Sequence, residues 1–225
     1  MNRTRIHAVL IAGALAAGAP AAARAHGESH QHDAAAAGEH PHHLATAAPA
    51  ASAARVVLRG NPLLDASGTR VRLAKEVIGE RIAVVNFIYT SCTTVCPVTS
   101  ATFQQLQGRL GTALGKEVVL VSISVDPLRD TPERLHEYAG RYQARAGWTW
   151  LTGAKPDVDS VLKGFGAYTA SFEDHPAMVL VGDASGWTRF LGFPSVEQLL
   201  ARVETLRAAR AGTGAVAHHG AHHGH

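Results

Sequence analysis

The sequence contains only two cysteines among its 225 residues, and aromatic residues make up 6% of the chain. Two cysteines exclude a scaffold held together by several disulfides. An excess of one charge is also absent: without Arg3, Arg5 and Arg24, which lie in a leader segment, the 21 basic residues fall to 18 against 18 acidic ones. This balance removes any electrostatic basis for binding nucleic acid, so we expect no nucleic-acid partner.

An apolar run long enough for a clear membrane span is lacking at the N-terminus. Residues 8–23 are uncharged and rich in alanine, but a span needs roughly 20 residues. Arg3 and Arg5 precede this run, and Ala23-Arg24-Ala25 has the small-x-small form that signal peptidase accepts. Residues 1–25 are therefore predicted to be a signal peptide for export to the periplasm. An uncleaved anchor is the alternative, and membrane association would otherwise require a partner.

Histidine is abundant where cysteine is scarce, and most of the 14 histidines lie near the chain ends. The two groups are His26, His30, His32, His40, His42 and His43, and then His218, His219, His222, His223 and His225. Residues 26–54 and 211–225 have too few apolar side chains to offset ordering entropy, so both are predicted to be disordered. Cleavage after Ala25 would leave His26 as an amine–imidazole chelate suited to copper(II). These segments are either metal-gathering arms or soluble linkers with adventitious metal affinity.

The intervening residues 55–210 alternate between strand and helix signals, which predicts one α/β domain. A hairpin is predicted over 63–71, with its turn at Ser67-Gly68. The predicted strands are 82–89, 118–125, 177–181 and 188–191, and the predicted helices are 97–110, 132–145, 158–168 and a last one after Pro194-Ser195. Continuous apolar strands predict an α/β sandwich with a mixed sheet covered on both faces.

The two cysteines, Cys92 and Cys96, follow the first long strand, and Pro97 suits the first turn of a helix. N–H groups at a helix N-terminus favour a thiolate on Cys96, so both thiols are predicted to be reactive. A disulfide across so short a loop would stabilise the fold by only about 2 kcal/mol, which disfavours a disulfide with a purely structural role. Redox chemistry requires Cys92 to lie partly off the helix, because i,i+4 positions stand about 5–6 Å apart. The spacing favours a bridging metal and leaves redox chemistry open.

A soft dithiolate suits copper(I) or zinc, and one imidazole would complete a three-coordinate copper site or a zinc site with an open position. His175 is the candidate, because it opens the third strand. A parallel neighbour would bring it toward the C-terminal end of the first strand, where sites form in α/β proteins. An isolated histidine is also commonly an ordinary loop or core residue, so this reading stays open. His136, within the second predicted helix, is expected at the surface.

Three motifs occur in order along the chain: residues 87–97 (FIYTSCTTVCP), residues 124–133 (SVDPLRDTPE), and Asp174-His175. Together they resemble the Sco (SenC-type) family of cytochrome c oxidase assembly proteins. The resemblance covers about residues 58–207 and neither tail. It implies a thioredoxin-like fold with an inserted β-hairpin, and it implies copper ligands at Cys92, Cys96 and His175.

The middle motif also has a structural interpretation. Asp130 with Glu133 matches a capping box before the second helix, and Pro132 suits the first turn of that helix. Asp126 is expected to form a turn with the proline that follows it. These residues are therefore predicted to shape the chain rather than to bind metal.

The surroundings of the candidate histidine give two further expectations. Asp174 is a candidate to orient the imidazole of His175 through a hydrogen bond. Thioredoxin-like folds generally open this strand with a cis-proline, so the His175–Pro176 peptide is predicted to be cis. The aromatic residues expected in the core or at its rim are Trp148, Trp150 and Trp187.

The resemblance implies a periplasmic metallochaperone, rather than an enzyme with turnover, that delivers copper(I) or copper(II) to the CuA centre of a respiratory oxidase. The expected partners are the CuA-bearing oxidase subunit or another periplasmic copper chaperone, together with a thiol reductant. The histidine tails would raise the local copper supply. The alternative is a thiol–disulfide oxidoreductase that reduces the cysteine pair of such a copper-site protein. Cys92 and Cys96 would then be the attacking and resolving thiols, with His175 only a neighbour.

Overall fold

The computed structural model describes residues 50–218, which form an eight-stranded mixed sheet with helices on both faces. The strands are β1 (Ala51–Ala54), β2 (Pro62–Asp65), β3 (Arg70–Arg72), β4 (Ile82–Ile88), β5 (Val118–Ser124), β6 (Trp148–Thr152), β7 (Met178–Asp183) and β8 (Gly186–Leu191). The helices are α1 (Val95–Leu110), α2 (Pro132–Arg141), α3 (Lys155–Phe165) and α4 (Val196–His218). A π-helical segment spans Leu73–Ile78, and 3-10 turns span Gly111–Ala113 and Phe172–Asp174.

The strand order across the sheet is β1-β8-β7-β4-β5-β6-β2-β3. Strands β4, β5 and β6 run parallel, and all other neighbours are antiparallel. Every residue of β4 and β5 is buried, because both faces of the sheet are covered. The α1 face packs against α1, α2 and α4 through a cluster that includes Phe103, Leu135 and Leu199. The opposite α3 face packs against α3 and the π-helical segment through a cluster that includes Phe87 and Phe165.

The predicted hairpin and strands are confirmed, but the prediction missed β6. That strand alternates tryptophan with threonine before Leu151, so it lacks the continuous apolar run that identified β4 and β5. Its Trp148 and Trp150 are buried, as is Trp187 in β8, which confirms all three as core aromatics.

Two helices end earlier than predicted because the backbone turns. Helix α2 ends at Arg141, since Gln143 adopts a left-handed φ of 51° that a helix cannot continue. Helix α3 starts at Lys155, with a proline in its first turn, and ends where Gly166 adopts a left-handed φ of 66°. Helix α1 begins at Val95, so Cys96 lies inside its first turn.

The predicted disordered segments are shorter than expected where the structure describes them. Residues 51–54 form β1, because pairing with the backbone of β8 needs no apolar side chain, and α4 continues through residues 211–218, whose several alanines favour helix. The leader 1–25 and the remaining parts of both histidine-rich segments lie outside the described residues. Within residues 50–218, no helix combines the length and apolar character needed to cross a membrane.

The C-terminal ends of β4, β5 and β6 meet at one edge of the sheet, which we call the cysteine edge. Strand β7 is antiparallel to β4, with Val179 opposite Asn86, so β7 starts at this same edge. The prediction of a parallel neighbour was therefore wrong. Antiparallel pairing is what places the start of β7, and the chain before it, beside the end of β4.

Candidate metal centre

The two cysteines lie where β4 passes into α1. Cys92 is in the connecting loop, with its N–H donating to Tyr89 O at 3.1 Å, and Cys96 is in the first turn of α1. The N–H of Cys96 donates to the Cys92 sulfur at 3.4 Å. Both residues are buried and carry free thiols. Cys92 therefore lies off the helix, as redox chemistry between i and i+4 would require.

The environment makes the two thiols chemically unequal. Burial opposes ionisation of Cys92, but hydrogen bonds from the Cys96 thiol, the N–H groups of Cys96 and Thr94, and the Tyr89 hydroxyl together lower its pKa to about 7. Burial, and then the hydrogen bond to Cys92, raise the pKa of Cys96 well above its ordinary value. The sequence placed the favoured thiolate on Cys96. The structure gives it to Cys92, whose sulfur accepts hydrogen bonds from the Cys96 thiol and from the N–H groups of Cys96 and Thr94 at the start of α1.

Tyr89 links the thiols to the rest of the cysteine edge. Its hydrogen bond to Cys92, together with burial, raises its pKa to about 12, so the hydroxyl keeps its proton and can donate it to the sulfur. Its ring packs edge-on against Phe172, with ring centroids 5.0 Å apart. Tyr89 also contacts the apolar clusters of both faces of the sheet.

His175 lies at the same edge of the sheet, in the loop before β7. It is 7% exposed, and its ring meets Phe87 edge-on with centroids 5.7 Å apart. Phe87 belongs to the α3-face cluster, whereas Cys92 and Cys96 belong to the α1-face cluster. Burial lowers the pKa of His175 to about 4, although a hydrogen bond with the Phe87 backbone acts in the opposite direction. The imidazole is therefore neutral, and its buried Nδ1 has no hydrogen-bond partner in the structure.

The surroundings of His175 differ from two expectations. Asp174 is exposed and ends a 3-10 turn, and since Nδ1 has no partner, the predicted orienting hydrogen bond to that atom is not formed. The His175–Pro176 peptide is trans, so the cis prediction was wrong. Pro176 lies two residues before β7, which begins at Met178, one residue later than the predicted start at 177.

The described part of the chain, residues 50–218, holds no group of three His, Cys, Asp or Glu side chains arranged to hold a metal ion. Cys92, Cys96 and His175 share one edge of the sheet without forming a ready-made three-ligand site. His136 is exposed on α2, as predicted. The tail histidines lie outside the part of the chain whose side chains the structure describes.

Sequence reasoning missed the position of Asp130. This carboxylate is 1% exposed and accepts hydrogen bonds from the Thr90 N–H at 3.1 Å, the Thr90 hydroxyl at 2.6 Å and the Ser124 hydroxyl at 2.6 Å. Burial raises its pKa, while those three donors act to lower it. Thr131, not Asp130, caps α2 by accepting from the Arg134 N–H, so the predicted capping box was wrong. Spacing in the sequence fitted both roles, and only the fold shows which carboxylate is buried.

The other acidic residue of the middle motif behaves as expected. The carbonyl of Asp126 accepts from the N–H groups of Arg129 and Asp130, which closes the predicted turn. Its buried carboxylate pairs with Arg129 at 2.9 Å. Pro132 is the first residue of α2, also as predicted.

A mixed α/β sandwich with a dithiol at its first strand–helix junction defines a protein of the thioredoxin-like class. The SCO1/SenC family model matches residues 58–203, and the chain belongs to that family. The fold agrees with solved Sco proteins. BsSco, a member of the Sco family of cytochrome c oxidase assembly proteins, has a TM-score of 0.57 at 24% identity, over 68% of this chain and 95% of that chain. Arabidopsis thaliana ScoI, solved with copper bound, has a TM-score of 0.54 at 22% identity, over 68% and 99%.

Curated relatives agree with the family. The SCO1 protein homologue of Bacillus subtilis is 35% identical over 79 residues, which are 35% of this chain and 40% of that protein. Protein SenC of Rhodobacter capsulatus is 31% identical over 109 residues, 48% of each chain. The matched segments therefore span less than half the length of these two relatives.

Proposed function

We propose that this protein is an exported, copper-binding metallochaperone for assembly of the CuA centre of a respiratory cytochrome c oxidase. Copper is the cargo, and its ligands are Cys92, Cys96 and His175. The observation that carries the proposal is the buried Nδ1 of His175, a neutral nitrogen without a hydrogen-bond partner at the same sheet edge as two free thiols. An unpaired buried polar atom is costly unless a partner arrives at some stage of function.

The chemistry of the donors fits copper(I). Thiolates are soft ligands, and Cys92 is readily deprotonated near neutral pH. Cys96 keeps its proton in the metal-free protein, so binding must displace that proton. Because Cys92, Cys96 and His175 do not form a ready-made ligand group within residues 50–218, the loops that carry them must adjust as copper is loaded. Thiolate and imidazole ligands would then be exchanged with those of the acceptor during transfer.

The proposal also covers where the protein acts and how copper reaches it. The leader 1–25 would deliver the chain to the periplasm, where the oxidase subunit that carries CuA, or another copper chaperone, is the acceptor. A thiol reductant must keep Cys92 and Cys96 reduced in that oxidising compartment. The names of the relatives support this setting, since BsSco belongs to a family of oxidase assembly proteins and the Arabidopsis ScoI structure holds copper.

The test is an anaerobic competition titration with a chromophoric copper(I) chelator. The reduced protein carries asparagine in place of the 11 tail histidines, so that only the domain competes for copper. We expect one tight equivalent. His175→Ala should weaken it by more than about 100-fold, since removing groups that merely support a ligand already costs 10–100-fold. Tight copper(I) binding that is unchanged in His175→Ala, or no tight binding at all, would reject the three-ligand site.

A second candidate function is thiol–disulfide exchange with the cysteine pair of the oxidase subunit or a similar copper protein. The unequal thiols favour it, because Cys92 with a pKa of about 7 is suited to attack while the buried Cys96 is held back as the resolving thiol. The same His175→Ala variant separates the two functions. A pure reductase keeps most of its rate on an oxidised CuA-domain substrate, whereas the chaperone loses copper delivery.

A further inference from the structure

Residues 126–130 form a turn between β5 and α2 that reaches both candidate ligand loops. The Asp126 carbonyl accepts from the N–H groups of Arg129 at 3.1 Å and Asp130 at 2.9 Å. The Asp126 N–H donates to the Ser124 hydroxyl at 3.0 Å, which fixes the turn to the end of β5. The side chains of Arg129 and Asp130 leave this turn toward different loops.

Asp130 holds the cysteine loop, residues 89–94. Its carboxylate accepts from both the N–H and the hydroxyl of Thr90, the second residue of that loop. Its other contact is the hydroxyl of Ser124, which is fully buried at the end of β5. A buried carboxylate with three donors is rigid, because breaking any one bond leaves a buried polar group unpaired. The position of the loop that carries Cys92 therefore follows the position of Asp130.

Arg129 holds the histidine loop, residues 166–177. Its guanidinium pairs with the Asp126 carboxylate at 2.9 Å and lies over the Phe172 ring, 4.9 Å from the centroid. Phe172 starts the 3-10 turn before the histidine, and its carbonyl accepts from the His175 N–H at 3.3 Å. The Phe172 ring also contacts Tyr89, the residue that hydrogen-bonds Cys92. Arg129 thus fastens the histidine loop against the cysteine loop.

We propose that residues 126–130 are a positioning segment that sets the cysteine loop through Asp130 and the histidine loop through Arg129. Neither side chain is a copper ligand, and each acts through the loop it holds. The inference rests on the proposed function for its copper measurements, while measurements on the metal-free protein test it separately.

The copper test is a set of double-mutant cycles with His175→Ala, in the protein whose tail histidines are replaced by asparagine. Arg129→Ala should weaken copper(I) binding roughly tenfold when His175 is present and hardly at all in the His175→Ala background. Asp130→Ala should weaken it roughly 10–100-fold in both backgrounds, because it acts through the cysteines. Arg129→Lys and Asp130→Asn should each recover part of the loss, since lysine keeps the charge and asparagine keeps one acceptor oxygen.

Matched controls remove the same kinds of contact away from the cysteine edge. Arg141, at the end of α2, lies over the Tyr138 ring at 5.6 Å, and the Asp65 carboxylate accepts three hydrogen bonds within the hairpin turn. Arg141→Ala and Asp65→Ala should leave copper affinity unchanged. Equal effects of Arg129→Ala in both backgrounds, a loss for Asp130→Ala only when His175 is present, or losses as large in the controls would overturn the proposal.

Hydrogen exchange on the metal-free protein supplies the independent readout. Asp130→Ala should speed amide exchange in residues 90–95, and Arg129→Ala should speed it in residues 171–177, each leaving the other segment unchanged. Unchanged or uniformly faster exchange would overturn the inference. If His175→Ala does not alter copper affinity in the parent protein, the proposed function fails instead, and the exchange pattern alone decides whether the segment positions the loops.

Discussion

At the scale of single residues, the site shows how position makes identical side chains unequal. Burial opposes ionisation of Cys92, but hydrogen bonds from the Cys96 thiol, the Cys96 N–H and the Tyr89 hydroxyl lower its pKa to about 7. Cys96 lies in the first turn of α1, where burial and its hydrogen bond to Cys92 outweigh a backbone hydrogen bond with Tyr89, so its pKa rises. The amino-acid sequence predicts the pair and its reactivity. It cannot assign the thiolate, because that depends on which sulfur meets the helix N-terminus.

His175 makes folding stability depend on pH in a predictable direction. Its pKa is about 4 in the folded protein and 6.5 in an unperturbed chain. Between these values the unfolded chain binds a proton that the folded protein excludes, so this residue lowers the free energy of unfolding as pH falls from 6.5 toward 4. A shift of this size corresponds to about 3 kcal/mol. Urea unfolding of the metal-free protein at pH 7 and pH 4.5 should show the loss.

The matched variant for this measurement is His175→Gln, which keeps a polar side chain but cannot titrate. Carboxylates elsewhere in the protein also affect its stability in acid. The measurement therefore compares how steeply the free energy of unfolding changes with pH in the two proteins. The wild-type protein should lose more stability over this interval than the variant. Identical slopes would mean that His175 is protonated in the folded state, and its Nδ1 would then not be a free acceptor.

At the scale of elements, the sequence predicts a strand or helix best where the segment is long and is buried on both faces. The strand predicted over 82–89 matches β4 almost to the residue, because β4 is apolar except at Asn86. The errors fall on β1 and β6, which are short, and on the ends of α2 and α3, where Gln143 and Gly166 take left-handed backbone conformations. Such conformations follow from local packing, which a hydrophobic pattern does not record.

Two helical glycines should respond in opposite ways to the same substitution. A Cβ at Gly164 in α3 would collide with the backbone carbonyl of Val57, so Gly164→Ala must push this segment away from the helix and also strain the bond from the Val57 N–H to the Gly164 carbonyl. Gly108 in α1 is exposed with open space around it. Gly108→Ala should stabilise the protein by about 0.5–1 kcal/mol, whereas Gly164→Ala should destabilise it by about 1–3 kcal/mol. Denaturant unfolding of both variants measures the contrast, and a stabilised Gly164→Ala would contradict the packing.

At the scale of the whole molecule, the candidate site is assembled from three distant stretches of chain. The sequence motifs identify Cys92, Cys96 and His175 as candidate ligands, and the antiparallel β4–β7 pairing brings their segments to one edge. The contacts of each side chain, with His175 against Phe87 and the two cysteines in the α1-face cluster, could not be predicted, because they depend on the path of each loop. The same is true of Asp130, whose role depends on Thr90, 40 residues away along the chain.

The histidine-rich segments and the domain offer copper two different chemistries, which a whole-protein measurement can separate. Imidazoles are borderline ligands that accept copper(II), whereas the thiolates of Cys92 and Cys96 favour copper(I). Replacing the 11 tail histidines by asparagine should remove most copper(II) binding, measured as copper retained per protein and by electron paramagnetic resonance. The tight copper(I) equivalent should stay within about threefold, since its ligands lie in the domain. Loss of that equivalent instead would make the tails the main copper ligands and leave the dithiol to redox chemistry.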